Sequence, residues 1–243
     1  SLATLTNSGS LANLNNTKNI ANLSNTGTLT SAKNTGTINS LSNTKSIGTL
    51  ANAGNLANAT NTGTITSLSN TRNLNNFNNT TSGVITNQVS NTGNIGNFTN
   101  AGKLSNGFNN QSNATVGNFT NDGNAGNITN AGSIDYLLNK QSGNVKAITN
   151  DGNIRSLSSY GILTNLANKK FIEAFGNQGT LTNVSNTGTI NTIANKKNIG
   201  NFTNNGTLAN VSNTGTITSA KNTGTINSLS NTETIGTLAN AGN

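Results

Sequence analysis

A nine-residue unit, Asn-x-Gly-x-Ile/Leu-x-x-apolar-x, recurs from Asn7 to the last residues of this chain. Asn25 to Lys33, Asn34 to Ser42 and Asn61 to Ser69 carry it in nearly identical form. A unit this short buries nothing by itself, so copies must cover one another by stacking. The expected shape is an extended solenoid with no enclosed cleft, whose function resides on a long surface.

Only 30% of the residues are hydrophobic and 4% aromatic, a composition that would also suit disorder. Two features oppose that reading: charged residues make up just 7%, and the apolar residues keep fixed places. With Asn as position one, positions five and eight are apolar in every regular unit. Ile38 with Leu41, Leu74 with Phe77 and Ile199 with Phe202 are typical pairs.

A continuous helix fails, because nine residues turn it through about two and a half revolutions and successive units would face opposite ways. Asn-Thr-Gly in each unit adds poor helix formers throughout. Short β segments separated by turns fit better. Stacked in parallel, they pair their backbone groups with the coils above and below and pile the apolar residues into one internal column. The Asn at position one suits a ladder of amides about 4.8 Å apart. It equally suits a local Asx-turn, and the two are compatible.

Position three is mostly Gly, but Lys18, Lys45, Arg72, Lys170, Lys197 and Glu233 also stand there. This predicts a solvated turn whose Gly is useful but dispensable. Lys18, Lys45 and Arg72 lie 27 residues apart, as do Lys170 and Lys197. That higher period predicts three units, or 27 residues, per coil, against a competing design of 18.

The whole chain, 1–243, reads as a single β-helical repeat region, with irregular coils and corner insertions over 79–149. The insertions contain Ser82-Gly83, the Asn106-Gly107 neighbourhood, Ser112-Asn113 and Ser142-Gly143. Asn25 to Asn43 recurs almost verbatim as Asn213 to Asn231, as expected of growth by duplication. Both ends fall in mid-pattern, as in a fragment of a larger protein.

The chain contains neither His nor Cys, which excludes His-based triads, thiol chemistry and Cys or His metal sites. Its acids are Asp122, Asp135, Asp151, Glu173 and Glu233, none in a short paired motif. Asp122, Asp135 and Asp151 are the one cluster to test for glycosidase chemistry, which needs two carboxylates in a groove. A Ca²⁺-binding roll would carry Asp in every unit, where this chain carries Asn, Thr and Gly. The expectation is no enzyme: no catalytic, cofactor-binding or metal residues, and no cofactor.

The net charge of +8 is spread along the chain, unlike the concentrated basic patch of a nucleic-acid binder. No apolar run is long enough to insert in a membrane as a helix. Lys169-Lys170 and Lys196-Lys197 read as solvated corners. Tyr136 and Tyr160 read as decoration of a face otherwise made of small residues. The Asn-x-Ser/Thr triplets, such as Asn97-Phe98-Thr99, arise from the repeat itself and carry no glycosylation claim.

The Asn-Thr-Gly-Thr-Ile units, with Leu-Ser-Asn-Thr-Gly between them, resemble the passenger repeats of bacterial autotransporters. Most closely they resemble the vacuolating-cytotoxin-like surface-protein paralogues of Helicobacter. The resemblance spans Asn7 to Asn243 and implies a right-handed parallel β-helix. It further implies export to the cell surface or medium, and an outer-membrane barrel beyond this segment. A role in adhesion, colonisation or virulence, through a host-cell surface or matrix component, would follow. Pore formation is not implied, since no apolar, small-residue-rich segment of the toxin's kind occurs.

Three functions compete: a structural stalk, whose faces also allow association of neighbouring copies; an ice- or surface-binding solenoid; and a carbohydrate-acting β-helix enzyme. The second rests on Thr28, Thr37, Thr64, Thr189, Thr216 and Thr225 at position four. That row is interrupted by Asn94, Lys103 and Ile162.

Overall fold

Each regular unit forms one seven-residue strand, from position four to the Asn that opens the next unit, as in Thr37–Asn43 and Ser46–Asn52. The computed structural model describes Ser1–Asn243 as an all-β parallel solenoid in which these strands stack as about 13 coils, with no helix. Strands alternate between two sheets. One has 13 strands, from Leu2–Asn7 to Thr225–Asn231, and the other has 15, from Ser10–Asn16 to Thr234–Asn240.

Positions five and eight point inward, as do the Asn residues that end the strands: Ile38, Leu41 and Asn43 are all buried. A simple pleat alternates faces with a period of two, so inward residues three apart require a phase shift. The shift falls at position six. In the strand Thr37–Asn43, Ile38 pairs with Leu56 and Ser40 with Asn58, while Asn39 between them has no partner in the register. The three-residue apolar spacing is thus the sequence signature of a strand bent once in its middle.

Facing Cα partners are 18 residues apart, as in Ile38 with Leu56 and Ile190 with Leu208. One coil therefore holds two units, and the expected 27-residue, three-sided coil is wrong. The basic residues that suggested it obey a different constraint. Under an 18-residue coil, a spacing of 27 places successive charges at opposite corners. Lys18 and Arg72 follow strands of one sheet, and Lys45 follows a strand of the other. A 27-residue coil would instead have stacked these like charges about 5 Å apart.

The turns are also tighter than expected. Lys18 and Lys45 are exposed, but Gly54 is buried, and a Cβ there would meet the Gly36 carbonyl oxygen at 2.1 Å. Position three is solvated where it carries a charge, and at Gly54 it is stacked so closely on backbone that a side chain there requires the turn to shift.

The interior is one continuous apolar cluster of 44 buried residues running from Ile20 to Ala220. In the irregular coils it becomes aromatic. Phe77, Phe98 and Phe119 stack at centroid distances of 5.1 and 5.3 Å, and Phe108 tilts against Phe98 from the opposite sheet at 5.0 Å. Such pairs add about 0.5–1.5 kcal/mol each beyond the area they bury.

Two columns of buried Asn flank this core. In each, Asn Nδ2 donates to the Oδ1 of the next coil, as from Asn25 to Asn43 at 2.7 Å and from Asn186 to Asn204 at 2.8 Å. The same Nδ2 also reaches a turn carbonyl two residues on, as from Asn25 to Gly27 at 3.0 Å. The ladder and the local turn bond coexist on one amide, so these side chains are buried with their bonds met, Asn177 Oδ1 excepted.

Except at Ser159, these columns continue through the coils that carry insertions. Asn70 still donates to Asn91 at 2.9 Å across 21 residues, and Asn110 to Asn130 at 2.8 Å across 20. The extra residues turn at the corners near Ser82, Asn113 and Ser142, or split a strand, as between Val84–Ile85 and Val89–Asn91. Gly107 (φ 83°) and Asn113 (φ 66°) take the left-handed conformation these detours require.

Candidate interaction surfaces

With positions one, five and eight turned inward, the surface is written by positions four, six, seven and nine and by the corners. On the 13-stranded sheet two rows are Asn-rich. At position seven, Asn76 donates to Asn58 at 2.9 Å, Asn97 to Asn76 at 2.7 Å and Asn118 to Asn97 at 2.7 Å. At position four, Asn73 donates to Asn55 at 2.9 Å and Thr115 to Asn94 at 2.8 Å. These exposed rows donate toward the N-terminus, whereas the buried columns donate toward the C-terminus. Sequence reasoning missed them, because their regularity emerges only when residues 18 to 21 apart are aligned.

The position-four Thr residues divide between the sheets. Thr28, Thr64 and Thr216 lie on one, and Thr37, Thr189 and Thr225 on the other. Consecutive stacking occurs at Thr189, Thr207 and Thr225. Thr37 lies between Asn19 and Asn55.

The acids do not all converge on one place, although Asp135 and Glu173 line the same depression. Asp122 and Asp151 occupy opposite corners, each beside a Lys one coil away: Lys140 at 3.3 Å and Lys169 at 3.2 Å. Asp135 lies on the 13-stranded sheet, where the register places it beside Arg155, and Arg155 in turn pairs with Glu173 at 3.9 Å. All these pairs are exposed and contribute little to stability. A hydrogen bond from Ser142 holds the Asp122 carboxyl below its usual range; slight desolvation opposes this and Lys140 assists it. No three acidic groups converge where a metal could sit.

One stretch departs from the pattern of small polar residues. Tyr136, Tyr160 and Ile162 are 47%, 43% and 48% exposed, and the Arg155 guanidinium lies 5.7 Å from the Tyr136 ring centroid. The two Tyr residues, singled out in the sequence as interruptions, belong to this one region.

In the same region the buried column is interrupted. Ser159 stands where an Asn is expected and accepts from Asn139 Nδ2 at 3.4 Å, and the buried Asn177 Oδ1 has no partner.

No helix is present that is long and apolar enough to cross a membrane, which says nothing about strand-built barrels. Compared with protein-family models, curated proteins and solved structures, the chain matches none. By its own geometry it is a structural β-solenoid scaffold, held by paired Asn columns and a core with buried aromatics.

Proposed function

We propose that the chain is a rigid, non-catalytic spacer of a secreted or cell-surface protein involved in adhesion or colonisation. The observation that carries this reading is the continuation of one Asn column through every coil that absorbs an insertion, and of the other through all but the coil that ends at Ser159. A scaffold that keeps its axis while its corners vary suits a part whose useful properties are length and stiffness. About 13 coils at a strand spacing of about 4.8 Å make a rod of about 60 Å. The likeness of the repeats to autotransporter passengers supports an outer-membrane-anchored location as part of a longer chain. Antibody labelling of intact producing cells tests it. Labelling without permeabilisation is expected; labelling only after permeabilisation contradicts the reading.

A second reading, binding of an ordered surface, is favoured by the exposed Asn rows from Asn58 to Asn118. Side chains locked to one another one coil apart present a fixed lattice with little entropy left to lose on contact. A freezing-hysteresis measurement separates ice from other surfaces: hysteresis abolished by Asn97→Leu supports an ice lattice, and its absence removes that ligand.

A further inference from the structure

We propose that the face carrying Tyr136, Arg155 and Tyr160 binds a neutral oligosaccharide. This goes beyond the spacer role and does not depend on how the chain is anchored. Three shallow depressions adjoin here. The first, about 330 Å³, contains Asp135, Arg155, Phe171 and Glu173. The second, about 250 Å³, contains Tyr136 and Leu138 over Asn118, Thr120, Ser156 and Ser158. The third, about 470 Å³, contains Leu138, Tyr160, Asp122 and Lys140. Leu138 is common to the second and third, and the Arg155–Tyr136 contact joins the first to the second. Together they form a shelf across the sheet as far as the Tyr160 corner, beyond which a further depression of about 330 Å³ around Ile162 and Lys197 adjoins it.

The chemistry of the shelf selects the ligand class. Two half-exposed phenol rings offer apolar faces suited to the C–H face of a pyranose, with little side-chain entropy to lose. Between them the floor is small hydroxyls and an amide. A guanidinium flanked by two carboxylates stands at one end, supplying donors and acceptors for ring hydroxyls. Asp122, Asp135 and Glu173 against Lys140 and Arg155 leave the shelf with one net negative charge, on a chain of +8. The rod's excess positive charge lies elsewhere, so the shelf does not favour an anionic polymer. The open depressions suit a chain laid along the surface better than a small enclosed ligand.

An independent observation lies beneath the same place. The column interruption at Ser159 directly precedes Tyr160, and the unpartnered Asn177 Oδ1 lies one coil further on. A repeat that breaks its structural rule beside its least regular surface fits a site under a constraint other than stability.

The experiment uses the chain's own fluorescence. It has two Tyr and no Trp, so its emission reports only this shelf. The 243-residue chain is titrated with neutral hexasaccharides of glucose, N-acetylglucosamine, galactose and mannose, and with a sulfated hexasaccharide and a random peptide library for comparison. At least one neutral probe is expected to give a saturable change. In Tyr136→Ala or Tyr160→Ala, read through the remaining Tyr, affinity should fall about tenfold or more. Arg155→Gln should weaken binding as well, and Lys33→Gln, far along the rod, should leave it unchanged. The melting temperatures of all variants should match the parent, because these side chains are exposed. No saturable response to any neutral probe overturns the proposal. So does a response to the sulfated probe or the peptides alone, or binding indifferent to both Tyr substitutions.

Discussion

Asn177 Oδ1 is buried without a hydrogen-bond partner because the residue one coil before it is Ser159, whose hydroxyl does not reach it. Elsewhere in that column an Asn Nδ2 fills the place, as from Asn177 itself to Asn195 at 2.8 Å. Ser159→Asn should therefore join the two halves of the column. An unmet buried acceptor costs about 1–3 kcal/mol, so the substitution should raise stability by about 1–2 kcal/mol in urea unfolding. Unchanged or lower stability would mean that the gap is already satisfied.

Buried and exposed Asn rows should respond differently to the same change. Asn121→Ala removes bonds to Gly123 and Asn139 and leaves Asn100 Nδ2 without its ladder acceptor. A loss of about 2–4 kcal/mol is expected. Asn97→Ala cuts two bonds in water, to Asn76 and Asn118, and should cost under about 0.5 kcal/mol. Equal costs in an unfolding titration would contradict the assignment of inward and outward faces.

Acid titration should find Asp122 with a folded-state pKa below its ordinary value, owing first to Ser142 and then to Lys140. A lowered folded pKa means that protons bind the unfolded state more tightly. The small stabilisation is therefore present above the unfolded pKa and lost as pH falls through the folded one. Ser142→Ala should move the carboxyl resonance midpoint back up, measured by NMR. A midpoint that stays put would remove the hydroxyl as the cause.

The inward places were legible because apolar chemistry marks them: positions five and eight are buried along nearly the whole rod, and the Asn column follows the repeat. Coil size was hidden because surface charges keep their own period. Lys18 and Lys45 avoid each other by alternating corners, and this mimics a longer coil. The bend at position six was implicit in apolar residues three apart, though no residue type marks it. The shelf drew on residues such as Asp135, Arg155 and Glu173, distant in sequence and adjacent only once 18 to 20 residues make one turn. Tyr136 and Tyr160 were visible as exceptions, but their shared region was not.

The claim on which the rest depends is the two-unit coil, and the absence of Cys allows a direct measurement. Ser31→Cys and Ser219→Cys place two spin labels on outward positions of the 15-stranded sheet, ten strand steps apart. At about 4.8 Å per step, pulsed electron–electron resonance should give a narrow distribution centred near about 48 Å. A centre near about 32 Å, as three units per coil would produce, or a broad distribution, would contradict the 18-residue solenoid.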